Sequence, residues 1–167
     1  MVVDDRLPFL NGVPYFCRNK KHTNEFWPCL LEKAYAKVYG DYENLTAGYT
    51  HDALTDLSGG IQEKLTNSLY FNYKDEFWKM VTQMWMNDAL IGCTTQFHGD
   101  GDRRGLVLGH AYSITKLVTI NNKKFENLRL LRIRNPWADT EWNGAWSDDS
   151  DEWNYISDKS KEKLGFY

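Results

Sequence analysis

"LVLGHAYSITKLVTINNKKFENLRLLRIRN", residues 106–135, decides the fold. Residues 106–118 and 128–135 are rich in aliphatic and β-branched side chains and alternate with period two. The linker "TINNKKFEN" holds the turn formers. The stretch predicts an antiparallel hairpin with Leu106, Leu108, His110, Tyr112 and Ile114 on one face. A histidine on such a face is either a satisfied structural residue or a catalytic one. A turn centred on Asn122–Lys123 sets His110 directly across from Asn135. Opposed residues hold their Cβ atoms about 4.5–5.5 Å apart, within reach of an imidazole–amide hydrogen bond. Asn135 before Pro136 also reads as a turn residue, and the two roles are compatible.

Upstream of the hairpin the period changes. Residues 89–97 read as one more strand, and "HGDGDRRG", 98–105, as a flexible polar loop. Residues 74–88 place Phe77, Met80, Val81, Met84 and Trp85 at helical spacing, a core stripe. Residues 25–39 form the clearest helix, with Trp27, Leu30, Leu31, Ala34, Tyr35 and Val38 as its buried stripe. Asn24 is the expected cap, Pro28 is tolerated in the first turn, and Gly40 stops the helix. The two adjacent glycines of "SGGI", 58–61, after the polar residues 51–58, mark a hinge or boundary. Residues 1–23 read as irregular, as though a segment preceded them. Helices followed by antiparallel strands make the fold class α+β.

The chain has 167 residues, 42% hydrophobic, with a formal net charge of −3. It is long enough to bury a core. It carries no basic field for nucleic acid or an acidic membrane surface. No signal peptide, transmembrane run or low-complexity tract is visible. In "RLLRIR", Arg129, Arg132 and Arg134 read as outward or ion-paired strand positions. Three widely spaced cysteines, Cys17, Cys29 and Cys93, form neither a disulfide framework nor a zinc pattern, so a reduced, cytoplasmic protein is expected.

A histidine beside an asparagine has a chemical use. In Cys-His-Asn proteases a thiolate attacks the scissile carbonyl, the histidine moves the proton, and the neutral amide holds the imidazole in one tautomer. "GHAYSI" (109–114) and "RIRNPW" (132–137) resemble the histidine and asparagine motifs of the calpains, calcium-dependent cysteine endopeptidases. "VVDDRLP" (2–8), "EFW" with "LLEKAYAKVYG" (25–27 and 30–40), "SGGI" and "EWNGAWSD" (141–148) are similar too. The resemblance covers nearly the whole chain and is weakest over 62–104.

That resemblance implies a papain-like fold in two lobes. Residues 1–59 correspond to the C-terminal part of the helical lobe and 60–167 to most of the β-rich lobe. It implies His110 as catalytic base, Asn135 as its orienting amide and Trp137 as a shield over their hydrogen bond. It implies Ca2+ as cofactor, with Glu141 and Asp148 as ligands in the β-rich lobe and Glu25 in the other. Both sites are expected to be incomplete, and a plain charged surface is the competing reading. Implied partners are protein or peptide substrates, with an upstream segment or a regulatory subunit.

The family's nucleophile sits in a Gly-Asp-Cys-Trp context that this sequence lacks. Basic neighbours are expected to lower the pKa of Cys17, whereas Cys29 and Cys93 read as packing residues. The expectation is an incomplete catalytic core, inactive alone. The alternative is a non-catalytic calpain-like module that binds calcium or a protein. Trp142, Trp146 and Trp153 read as core packing; a tryptophan-based ligand platform would require them exposed.

Overall fold

The computed structural model describes residues 1–95, 104–137 and 140–166. The chain divides into two compact units, Met1–Ala53 and Leu54–Tyr167. The loop expected over 98–105 lies largely outside the described residues.

In the first unit, β1 (Phe9–Leu10) and β2 (Val13–Pro14) pair antiparallel. Asn11 and Gly12 join them with φ of 52° and 78°. A two-residue hairpin turn of this kind needs positive φ at both positions, which Asn-Gly supplies. The segment is therefore not wholly irregular, and its Asn-Gly pair carried the signal.

Helix α1 spans Trp27–Tyr39, with Phe26 rather than Asn24 at its N-cap and no side-chain cap. Pro28 lies in the first turn and Gly40 ends the helix at φ 110°. The expected apolar stripe is not the buried face. Cys29 and Ala36 are buried, while Trp27 is 62% exposed and Leu31 and Val38 are also exposed. Polar anchors decide this. Cys29 Sγ donates to the Cys17 carbonyl at 3.0 Å, and the Cys17 N–H donates to Glu32 Oε2 at 2.9 Å. Lys37 Nζ reaches the Val2 carbonyl at 2.8 Å, and Lys33 pairs with Asp4. Positions 29, 32, 33, 36 and 37 fall on neighbouring rows of one helix face, so the N-terminal segment covers that face.

The polar stretch 51–58 is helix α2, Thr50–Ser58. Gly59, at φ 71°, follows it. Helix α3 (Asn67–Asn72) was not visible as a pattern; α4 (Lys74–Met86) matches the expected stripe, with Val81 buried.

Strands β3 (Ile91–Thr94), β4 (Ala111–Ile120) and β5 (Leu128–Arg134) form an antiparallel sheet in that order. The β4–β5 ladder is not continuous. Lys116 faces Arg132, but Ile114 faces Ile133, which leaves Thr115 as an extra residue on β4. This is a β-bulge. Carrying the register past Ser113–Arg134 sets Tyr112 across from Asn135 and His110 across from Trp137. The direct opposition of His110 and Asn135 expected from the turn centre is therefore corrected. The loop sits further along the chain than assumed, and the bulge adds a one-residue step.

Opposed residues share a face, so Tyr112, Ile114, Leu117 and Thr119 share one with Arg129, Leu131, Ile133 and Asn135. Helix α4 lies on that face, where Trp78 Nε1 donates to Thr119 Oγ1 at 3.1 Å and Arg129 pairs with Asp75.

The C-terminal segment is more than turns. A 3-10 turn, Asp151–Tyr155, precedes α5, Asp158–Leu164. Ser157 caps α5 by accepting from the Ser160 N–H, and Gly165 ends it at φ 65°. Trp146 and Trp153 meet edge to face at 5.1 Å, and Trp153 stacks on Phe166 at 4.1 Å. Trp142, Trp146 and Trp153 are all half-buried. This supports the packing role over a ligand platform.

Candidate active site

His110 stands one residue before β4, and Asn135 one residue after β5. Carried-over register makes them a diagonal pair on one face rather than an opposed one. Diagonal neighbours lie farther apart, yet long side chains still bridge them. His110 Nε2 and Asn135 Oδ1 are 2.8 Å apart.

The hydrogen bonds fix which proton is where. Asn135 Nδ2 donates to the Thr140 carbonyl at 2.9 Å. The Trp137 backbone N–H donates to Asn135 Oδ1 at 3.0 Å. Both contacts would be lost if the amide were turned over, so its orientation is set by its own loop. A carbonyl oxygen only accepts. His110 Nε2 must then be the donor, and the neutral ring keeps its lone pair on Nδ1. No hydrogen bond to Nδ1 is made among the described residues.

Two aromatic rings steady the imidazole. The Trp137 ring lies 4.2 Å away, tilted by 42°, and Tyr112 meets it edge-on at 4.9 Å. Trp137 is 55% exposed. Tyr112 is buried, and its hydroxyl accepts from the Val107 N–H at 2.9 Å. The backbone of His110 is held from the other side as well. Thr95 N–H donates to the His110 carbonyl at 3.3 Å, and Gly109 N–H to the Thr95 carbonyl at 3.2 Å. Gly109 takes φ 65°, a conformation that favours glycine. Thr95, Tyr112 and Thr140 thus support the site; alternation had put Tyr112 on the face of His110, whereas no sequence signal singled out Thr95 or Thr140. Thr140 acts chiefly through its main-chain oxygen, which any residue would supply, and its hydroxyl accepts from the same Nδ2 at 3.4 Å.

Neither Cys17 nor Cys93 is set up as a thiolate, and Cys29 is buried. Cys17 was expected to have a lowered pKa; burial of the thiol pushes it up instead, and the Glu32 carboxylate and Cys29 add to the shift. The basic neighbours in sequence do not offset these. Cys29 is buried, with its thiol on the Cys17 carbonyl. Cys93 faces Tyr112 across β3 and β4 and so shares the face of His110, but burial pushes its thiol up. A nucleophile needs the opposite shift.

The carboxylates proposed for calcium are divided between the two units. Glu25 belongs to the first unit and accepts from Asn19 Nδ2 at 2.7 Å. Glu141 and Asp148, in the second unit, are exposed. The hollow beside them is lined by Asp149, Asp151 and Glu152 together with Arg104, whose charge opposes a cation. Among the described residues no three His, Cys, Asp or Glu side chains converge on a metal position. Among the described residues no calcium shell of about 6–8 oxygen ligands is assembled.

Comparison with known proteins gives consistent matches. The family model described as calpain family cysteine protease matches residues 1–167. Calpain-8 of Rattus norvegicus is 40% identical over 98% of this chain and 23% of its own length. Calpain clp-4 of Caenorhabditis elegans is 42% identical over the same shares. Calpain-A of Drosophila melanogaster is 36% identical over 99% of this chain and 20% of its own length. The chain thus spans about a quarter of the curated relatives it matches, 23% for the first two.

Proposed function

Because the chain belongs to the calpain family of cysteine proteases, we propose that it supplies the general base and orienting amide of a cysteine endopeptidase acting on proteins or peptides. The observation that carries this reading is the His110–Asn135 hydrogen bond with its amide pinned from two sides. His110 Nδ1 takes the proton of an incoming cysteine thiol as the sulfur attacks the scissile carbonyl. The same nitrogen then delivers that proton to the leaving amine as the peptide C–N bond breaks. Asn135 keeps the second ring nitrogen protonated throughout. Trp137 keeps water from one side of the bond between them.

The cysteine comes from outside residues 1–167, from a helical segment in cis or from a folded partner. The raised thiols of Cys17 and Cys93 and the burial of Cys29 support this. In this reading residues 1–59 are the end of the helical lobe and 60–167 most of the β-rich lobe. Calcium dependence belongs to the assembled protease, and no step runs through the metal here. Three free cysteines suit the cytoplasm. No helix among the described residues is long and apolar enough to cross a membrane.

The test is cleavage of a casein-type substrate in the presence of a thiol-alkylating inhibitor. The isolated chain shows no thiol-dependent turnover, with or without calcium. Supplying a cysteine-bearing helical segment yields turnover, and His110→Ala lowers it by about 10²–10⁴-fold. Turnover by the isolated chain that survives Cys29→Ser and Cys93→Ser but vanishes in Cys17→Ser would overturn the reading.

A further inference from the structure

We propose that Arg132 is a positioning residue for His110 and acts through the bulge at Thr115; its bearing on catalysis rests on the reading of His110 as general base. Thr115 Oγ1 donates to the Arg132 carbonyl at 3.2 Å and accepts from Arg132 Nε at 3.0 Å. Arg132 Nη1 continues to the Gly165 carbonyl at 3.1 Å, at the end of α5. Beside it, Lys116 Nζ reaches the Leu164 carbonyl at 2.7 Å. The carbonyls at a helix C-terminus attract cations, so α5 fixes the guanidinium in place. A planar guanidinium holds both directions at once, which a lysine cannot.

What this clamp controls is a face. On the turn side of the bulge, Lys116 faces Arg132 and Leu117 faces Leu131. If that register ran on without a step, Ser113 would face Asn135. His110, three residues before Ser113, would then point to the opposite side of the sheet, because side chains alternate. The step at Thr115 keeps His110 on Asn135's face. Thr115 lies on the face of Arg132 and Lys116, tucked against the guanidinium instead of taking a place in the ladder. Arg132 does not touch His110. His110 lies five positions before Thr115, about 17 Å at the usual rise. The influence of Arg132 passes through the register alone.

The test is ¹⁵N imidazole NMR of the full 167-residue chain, reading the His110 tautomer and the solvent exchange of Nε2–H. The wild type shows the Nε2–H tautomer. Arg132→Met and Thr115→Val admit the second register, so the tautomers mix and Nε2–H exchanges roughly 2- to 10-fold faster, the worth of one hydrogen bond. Thr115→Ser keeps the hydroxyl and matches wild type. Deleting Thr115 gives a sharper result. It removes the extra residue while Ile114 still faces Ile133 and Lys116 still faces Arg132, so the His110 signal stays as in wild type. Arg132→Met on that background then has no effect on His110.

An unchanged His110 signal in Arg132→Met overturns the proposal. So does the same loss with Thr115 deleted, which would make Arg132 a general packing residue. If the deletion variant does not fold, the Val and Ser variants decide: a Val variant that matches wild type also overturns it. The readout involves no peptide cleavage. A failure of reconstituted proteolysis therefore leaves this inference standing, and the reverse holds as well.

Discussion

Asn135 Oδ1 accepts two hydrogen bonds at once, from His110 Nε2 at 2.8 Å and from the Trp137 N–H at 3.0 Å. The second bond is what gives the first its direction. An amide free to turn could present either its oxygen or its nitrogen to the imidazole. Held by Trp137 and Thr140, it presents only oxygen, and the proton of the neutral ring is confined to Nε2.

Replacing Asn135 by alanine should therefore release the tautomer. The His110 ¹⁵N shifts should move from those of a single Nε2–H form to a mixture. The loss of the bonds to Thr140 and Trp137 should lower unfolding stability by about 1 kcal/mol. Denaturant titration and the imidazole spectrum check the two effects separately. An unmixed Nε2–H tautomer in Asn135→Ala would show that another group sets it.

Trp137→Ala should act differently. The backbone N–H at 137 still donates to Asn135, so the tautomer should stay Nε2–H. The ring 4.2 Å from the imidazole is gone, however, and water reaches the hydrogen bond. Exchange of Nε2–H should speed up by roughly 2- to 10-fold. Equal exchange in both proteins would mean that the half-exposed indole shields nothing.

Cys17 should alkylate as a sluggish thiol despite Arg18, Lys20 and Lys21 nearby. Burial comes first among the causes that raise its pKa, and the Glu32 carboxylate follows. The pH midpoint of its reaction with iodoacetamide should lie above that of an ordinary cysteine. Glu32→Gln removes the charge and should bring the midpoint part of the way down. A midpoint below the ordinary value would revive Cys17 as a nucleophile.

Two carboxylates in the first unit should respond to pH with opposite signs. Desolvation raises the pKa of Glu32 above its unfolded value, so its stabilising contribution is present in acid and lost as pH rises through the folded value. Glu32→Gln should then gain thermal stability relative to wild type as pH increases through the carboxylate range. Asp4 is held below its unfolded value, chiefly by the hydrogen bond from Lys33. Its contribution is present above the unfolded pKa and lost as pH falls through the folded one. Asp4→Asn should be the less stable protein at neutral pH, with the gap closing in acid. Melting curves across pH 3 to 7, about the range in which carboxylates titrate, check both signs.

Calcium should bind the isolated chain weakly. Glu141 and Asp148 are exposed and join no cluster of three among the described residues. Calorimetry should give a dissociation constant no tighter than about 10⁻³ M. A micromolar constant abolished by Glu141→Gln and Asp148→Asn would mean that further oxygens complete the site.

The sequence by itself determined the α+β class, α4 and its stripe and the existence of three strands, though not the start of β4 at Ala111 or the centre of the long hairpin's turn. These are local matters of period and turn chemistry. It also placed His110 and Asn135 on one face, because the assumed turn centre and the real, bulged register have the same parity. The register itself was decided elsewhere. Whether Thr115 enters the ladder depends on Arg132 and on the end of α5, some 50 residues downstream in a chain whose hairpin cannot anticipate it. The buried face of α1 was likewise illegible. Cys29, Glu32 and Lys33 look like ordinary helix positions until residues 2–17 lie across them and take up their hydrogen bonds. The Nε2–H tautomer depends on the Trp137 N–H and the Thr140 carbonyl. Main-chain groups of that kind are the same at almost every residue, so only the folded loop selects the two that matter.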